Sequence, residues 1–200
     1  RGEYIYYYRN DGLQNQYVVY RKKDNSNSSE EVFLDPNKFS ENGTISLTGL
    51  YFSEDGKHIS YTISEGGSDW RKAIVMDTET KQIIGDTLTN IKFSGISWIG
   101  NKGFYYSSYD KPEGSELSEY TDRHKLYYHE LNTDQKSDKT VFGDQREKYR
   151  YVSGNVSDDN NFLFISASNL TDGNELYMID LRKNSNRIQT LSDDPSTDDY

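Results

Sequence analysis

Short runs of alternating apolar and polar residues, interrupted by Gly, Asn, Asp or Ser, fill this chain, and no stretch sustains the period of an amphipathic helix. Three segments repeat one another: Phe52-Ser53-Glu54-Asp55-Gly56-Lys57-His58-Ile59-Ser60-Tyr61, Trp98-Ile99-Gly100-Asn101-Lys102-Gly103-Phe104-Tyr105-Tyr106 and Val156-Ser157-Asp158-Asp159-Asn160-Asn161-Phe162-Leu163-Phe164. Each predicts a strand, a tight polar turn and a second strand. A further repeat follows each hairpin, at Lys72-Ala73-Ile74-Val75-Met76-Asp77, Lys125-Leu126-Tyr127-Tyr128-His129-Glu130-Leu131 and Glu175-Leu176-Tyr177-Met178-Ile179-Asp180-Leu181. It predicts a third strand ending at an acidic or polar turn. The copies start about 50 residues apart, a spacing within the range of propeller blades and too long for ankyrin or leucine-rich repeats. This periodicity predicts an all-β fold. It takes the form of a partial β-propeller of about four four-stranded antiparallel blades, spanning about 3–45, 46–91, 92–148 and 149–200 of one domain.

The first blade lacks a clear copy of the repeat. There, Glu3-Tyr4-Ile5-Tyr6-Tyr7-Tyr8 and Tyr17-Val18-Val19-Tyr20 flank Asp11-Gly12, a hairpin signal. Residues 22–30 are polar and predict a loop, and Val32-Phe33-Leu34 predicts a short strand halted by Pro36, which has no N–H for a ladder. Between Tyr109 and His124 lies an insertion longer than a hairpin needs, of the kind that carries function or is disordered. Four blades do not close a ring, so two exposed sheet edges are expected. The chain starts inside a strand pattern, as a piece of a larger protein would.

Composition alters this picture in one respect. Leu, Ile, Val and Phe make up only about a fifth of the residues, near the level at which disorder becomes an alternative. The chain also has 18 Tyr and 8 Phe, so much of its buriable area lies on rings that favour strands. A Tyr-rich β core follows. The net charge of −10 argues against nucleic acid, whose phosphates call for clustered Lys and Arg. The absence of Cys removes disulfides, thiol nucleophiles and thiolate metal sites. No apolar run approaches the roughly 20 residues of a membrane span, and the opening Arg1-Gly2-Glu3-Tyr4 is unlike a signal peptide. The expectation is a soluble protein of the cytoplasm or a bacterial periplasm, without membrane or nucleic-acid partners.

Catalytic signals are weak. Gly95-Ile96-Ser97 begins like a nucleophile elbow, but Ile99 stands where that motif needs Gly, and no helix follows. His58, His124 and His129 are the only histidines, and none has metal-ligand spacing; His129 is expected to pack or lie at the surface. Asp158-Asp159 and Asp193-Asp194 do not fit a calcium loop and read as turn or tail residues. Asn27, Asn42, Asn155 and Asn169 each open a glycosylation triplet, of the sort an Asn- and Ser-rich chain produces by chance. No cofactor, metal or catalytic residue is expected within this chain.

One further set of motifs is more specific: Tyr7-Tyr8-Arg9-Asn10-Asp11-Gly12-Leu13-Gln14-Asn15-Gln16, Phe33-Leu34-Asp35-Pro36-Asn37, Phe52-Ser53-Glu54-Asp55-Gly56, Gly67-Ser68-Asp69-Trp70 and Lys125-Leu126-Tyr127-Tyr128-His129. In this order, spread over nearly the whole chain, they resemble the propeller of the prolyl oligopeptidase family. The resemblance implies roughly the first half of a seven-bladed propeller covering an α/β-hydrolase domain, whose Ser, Asp, His triad cleaves short peptides after proline. That domain, absent here, would be the partner within the same parent chain, with short proline-containing peptides as ligands. The propeller would restrict access to small peptides.

By residue type alone Phe93 is a core strand residue and Asp69 a turn residue. The resemblance implies substrate-binding roles: Phe93 lining the outer substrate pocket, Asp69 pairing with a peptidase-domain arginine that binds substrate backbone, and Tyr151 standing where the family often has a pocket methionine. It also implies a mobile loop near the domain interface at the Tyr109–His124 insertion. The rival expectations are a non-catalytic propeller serving as an interaction module, and a related dipeptidyl or oligopeptide peptidase. A peptidase parent would carry Gly-x-Ser-x-Gly, then Asp, then His beyond Tyr200.

Overall fold

A computed structural model describes residues 2–25, 27–109, 123–143, 149, 151–169, 173–183 and 187–193. Of the insertion expected between Tyr109 and His124, residues 110–122 lie outside them. The described residues form strands and two three-residue 3-10 turns. The strands are β1 (Tyr4–Arg9), β2 (Val18–Lys23), β3 (Glu31–Leu34), β4 (Ile45–Phe52), β5 (His58–Glu65), β6 (Trp70–Asp77), β7 (Ile83–Lys92) and β8 (Ile96–Ile99). They continue with β9 (Gly103–Ser108), β10 (Lys125–Glu130), β11 (Lys139–Phe142), β12 (Tyr151–Val156), β13 (Phe162–Ser168), β14 (Glu175–Asp180) and β15 (Ile188–Ser192). Four sheets result, each linking neighbours in sequence: β1-β2-β3, β4-β5-β6-β7, β8-β9-β10-β11 and β12-β13-β14-β15. The chain divides into two compact units, Arg1–Thr89 and Asn90–Tyr200.

The repeat has a hydrogen-bonding cause. In the β4–β5 turn Ser53 Oγ donates to Asp55 Oδ1 (3.0 Å) and accepts from His58 N–H (3.0 Å), while Asp55 Oδ1 also accepts from Lys57 N–H (2.9 Å). The β12–β13 turn repeats the set, with Ser157 Oγ to Asp159 Oδ1 (2.6 Å), Phe162 N–H to Ser157 Oγ (3.0 Å) and Asn161 N–H to Asp159 Oδ1 (3.0 Å). Gly56 and Asn160 occupy the same left-handed position, with φ of 72° and 57°. Asp159 is therefore a turn acceptor, and these hydrogen bonds hold its carboxyl below the usual range. After each third strand a backbone N–H returns to the hairpin turn: Thr78 to Lys57 O, Leu131 to Lys102 O and Leu181 to Asn161 O. A bulge recurs between third and fourth strands, at Leu126/Tyr127 and Leu176/Tyr177, and again at Val19/Tyr20. The last bulge aligns β1, β2 and β3 with the last three strands of a full blade.

Within the first unit Val19, Phe33, Ile59, Tyr61, Ile63 and Met76 form the core. Arg21 is buried beside them. Its Nε donates to Glu31 Oε1 (2.6 Å), a terminal nitrogen donates to the Thr78 carbonyl, and the guanidinium faces the rings of Tyr4 (4.3 Å) and Phe33 (5.2 Å). The hairpin expected around Asp11-Gly12 forms, β1 pairing antiparallel with β2, and its connection runs over residues 10–17. There Asn10 and Asp11 accept from Gly12 and Leu13 N–H, and Gln14 folds back onto Asp11 N–H. The loop ends on Gln16, whose side-chain amide donates to Ile45 O (2.7 Å) and accepts from Leu47 N–H (3.1 Å), mimicking a strand beside β4. Asn37 and Gln16 exchange further bonds at 3.0 Å. Gln16→Ala leaves those two β4 groups without this partner, so a loss of about 1–2 kcal/mol is expected in urea unfolding. A wild-type midpoint in that variant would show that the amide contributes nothing.

In the second unit Tyr105, Leu126, Phe142, Tyr149, Val152, Leu163, Ile165, Ala167 and Ile179 make one aromatic-rich core. Gly154 lets two sheets approach, because a Cβ there would lie 2.7 Å from a Leu126 methyl. Burial pushes the Tyr105 phenol up to about 12. Every residue of β9 is buried, so this strand is covered on both faces.

Candidate functional site

Phe93 directly follows β7, and three bonds pin the segment around it at every second residue. Ser108 Oγ donates to the Asn90 carbonyl. His124 Nε2 donates to the Lys92 carbonyl (2.9 Å). Ser94 Oγ accepts from Ser107 N–H (2.7 Å) and donates to Gly95 O (2.5 Å). Phe93 itself is held at φ 50°, and Asn90 is left-handed too, at φ 57°. For a bulky side chain that conformation costs about 1–3 kcal/mol and persists only where the surroundings impose it.

The ring so placed is 45% exposed, within reach of a ligand. It packs T-shaped against Tyr151 (centroids 5.6 Å apart, 68°) and Tyr109 (6.4 Å, 83°), and Lys92 Nζ lies 5.2 Å from its centroid. Two of the residues named from the resemblance, Phe93 and Tyr151, therefore stand together as an aromatic patch. Tyr151 is half-buried and Tyr109 is buried.

His124, Tyr109, Ser94 and Ser108 support the patch and carried no sequence signal, because three of them act on backbone atoms far along the chain. His124 is fully buried. Its Nδ1 accepts from Val152 N–H (2.7 Å), its own N–H donates to Tyr149 O (2.8 Å), and its ring lies 4.4 Å from that of Tyr109. These partners fix the neutral tautomer protonated on Nε2. Burial lowers its pKa to about 4.

Asp69 belongs to the first unit, on the turn from β5 to β6. Gly66 and Gly67 take φ of 59° and 74° there, and Ser64 Oγ donates to Ser68 O (2.6 Å). Among the described residues the Asp69 carboxylate has no hydrogen bond or ion pair, and it is exposed. The turn presents a carboxylate and leaves it open. On the same unit Tyr8, Asn15, Gln16, Tyr17, Ser46 and Leu47 line an open cleft of about 580 Å³.

His129 is closed off in a buried pair. His129 Nδ1 donates to Asp138 Oδ1 (2.8 Å), Tyr106 OH donates to Asp138 Oδ2 (2.7 Å), and both members of the His–Asp pair are only 3% exposed. Packed on Phe104, the pair is closed to substrate and ties β10 to the turn before β11. Among the described residues no group of three or more His, Cys, Asp or Glu is placed to hold a metal ion, and no helix is long and apolar enough to cross a membrane.

The family model for the prolyl oligopeptidase N-terminal β-propeller domain matches residues 1–200. The chain belongs to this family. It is 52% identical to a prolyl endopeptidase of Elizabethkingia miricola and 51% identical to one of Elizabethkingia meningoseptica, in both cases over 96% of this chain. The chain spans about 27% of the length of these curated relatives. Among solved structures it matches one from a study of two prolyl endopeptidases, with a TM-score of 0.83 and 28% identity over 97% of this chain and 28% of that one. Prolyl oligopeptidase B from Galerina marginata, bound to a 35mer hydrolysis and macrocyclization substrate, matches with a TM-score of 0.81 and 26% identity over 95% of this chain and 29% of that one. The sheets described above are thus those of a prolyl oligopeptidase propeller.

Proposed function

We propose that this chain is part of the propeller of a serine-type prolyl endopeptidase, whose α/β-hydrolase domain lies outside the 200 residues and cleaves short peptides after proline. The observation that carries the reading is Phe93: an exposed ring held in a strained conformation by three pins, inside a family whose relatives are prolyl endopeptidases. The Phe93–Tyr151 patch contributes apolar surface to the outer part of the substrate pocket. A tyrosine edge in place of a more pliable methionine gives that part of the pocket a flat, rigid wall. The propeller limits access to small peptides. Bond cleavage by an acyl-serine route belongs to the other domain, and the chain alone is inactive. The parent is a soluble protein of the cytoplasm or a bacterial periplasm.

Asp69 is proposed to orient an arginine of the hydrolase domain. A carboxylate left open on an exposed turn suits a guanidinium fork, which two oxygens hold best. Asp69→Ala in the intact protein should lower kcat/KM by about one to two powers of ten, the loss of one charge-assisted orienting bond. An unchanged value would remove Asp69 from the site.

The deciding experiment is hydrolysis of a blocked glycyl-proline fluorogenic amide by the intact protein, with the glycyl-alanine amide as control. Proline-selective cleavage that ceases with a serine-directed inhibitor supports the reading. A folded full-length protein that cleaves neither substrate would instead be a binding propeller.

A further inference from the structure

We infer that His124 is a positioning residue of this site: it sets the conformation of Phe93 and so governs how the outer part of a peptide substrate is seated. The inference rests on the reading of Phe93 as a pocket residue. Its physical basis is the set of atoms that one imidazole joins. Nε2–H holds the carbonyl of Lys92, the residue directly before Phe93. Nδ1 holds the N–H of Val152, the residue directly after Tyr151. The ring face lies against Tyr109, and the backbone N–H binds Tyr149 O, two residues before Tyr151. Of the three rings of the patch, that of Tyr109 is contacted by His124, and those of Phe93 and Tyr151 belong to residues next in sequence to ones it bonds.

The geometry is specific to imidazole. A donor and an acceptor must point in different directions from one rigid, fully buried ring to two backbone groups 60 residues apart in sequence, at Lys92 and Val152. The Lys92 carbonyl is the middle of the three pins, and the peptide it belongs to leads into the left-handed residue. Without this bond the segment loses the pin nearest Phe93 on its N-terminal side, and Phe93 is expected to relax toward ordinary φ, which swings its ring away from Tyr151. His124 touches no substrate and acts through Phe93.

The test uses the intact protein and two proline amides that differ only in their N-terminal block, one benzyloxycarbonyl and one acetyl, so that the ratio of their kcat/KM values reports the outer apolar contact. The variants are Phe93→Ala, His124→Phe, which keeps a ring against Tyr109 but offers no nitrogen, and His124→Gln, which retains a donor and an acceptor. Independently, 4-fluorophenylalanine at position 93 gives a fluorine resonance that reports the ring's setting whatever the activity. We expect His124→Phe to reduce the ratio by about three- to tenfold, mainly through KM, and to shift or broaden the fluorine signal, with His124→Gln recovering part of both. A ratio that falls in Phe93→Ala but not in His124→Phe, with an unmoved fluorine signal, overturns the proposal and leaves the pocket reading intact. A ratio indifferent to Phe93→Ala overturns the pocket reading and the seating role with it, and the fluorine signal then decides whether His124 sets the ring. Should His124→Phe not fold, His124→Asn takes its place: it can answer Val152 but is too short for Lys92, and an unmoved fluorine signal there is equally fatal.

Discussion

Arg21→Ala is expected to lower the stability of the propeller by about 3 kcal/mol, from the lost bond to a buried carbonyl and the space left between two rings. The side chain is only 4% exposed, whereas its partner Glu31 is 50% exposed and also lies 3.4 Å from Lys81 Nζ. Removing Arg21 therefore does not strand a buried carboxylate, which would be costlier. It deprives the Thr78 carbonyl of its donor and empties the gap between Tyr4 and Phe33. Thr78 itself is buried, with its hydroxyl donating to Gly56 O (2.7 Å) and its N–H to Lys57 O (2.8 Å). The disturbance thus reaches the β4–β5 turn. Arg21→Met refills the gap without restoring the bonds, so about half the loss is expected. Urea midpoints of the intact protein and both variants separate the contributions: a methionine variant as weak as the alanine one would assign the whole effect to the polar bonds.

The second large effect is a fall in stability with acid, in a window set by His124. Its folded pKa is about 4, because burial disfavours the charged ring, against about 6.5 when unfolded. Between those values the unfolded chain binds a proton that the folded one refuses, so stability rises with pH there. The contribution is complete above about pH 6.5 and is lost as pH falls toward 4, by about 3 kcal/mol in all. The aspartates with depressed values, Asp55, Asp77 and Asp159 among them, start from 3.8 and act below this window, and the lowered Glu30 and Glu31, which start from 4.5, reach only its acid edge. Unfolding free energies of wild type and His124→Gln, taken between pH 7 and 4, should differ in slope. Parallel curves would show that the ring titrates normally.

The blades were legible because their grammar is local. Ser53 and Asp55, like Ser157 and Asp159, close turns within five residues, so the motif is visible in any short window. The third copy, around Gly100, lacks those side chains, and Gly100 N–H instead takes Asn160 Oδ1 (2.9 Å) from a distant turn. The first hairpin forms as expected, but the length of its connection was not legible, for a related reason. Asp11-Gly12 is a hairpin signal, but Asn10, Asp11 and Gln14 build a longer loop whose purpose, delivering Gln16 to β4, depends on strands about 30 residues away. Phe93 was visible only through family resemblance. Lys-Phe-Ser at the end of a strand carries no Gly or Asn to announce a left-handed residue, and the strain is imposed by Ser107 and Ser108 of β9 and by His124 just before β10. His124 has no metal-ligand spacing to mark it, and its partners are backbone groups that every sequence possesses.

The order of the sheets has a consequence for biosynthesis. In all four, every strand pairs with a neighbour in sequence. Among the described strands none waits for a partner far along the chain, so loop-closure entropy stays low at each step. A chain emerging N-terminus first can complete the β4–β7 sheet while β12 is still untranslated. Exposure of unpaired strands during synthesis is thus confined to one sheet at a time, which limits the window for aggregation of a tyrosine-rich chain with few aliphatic side chains.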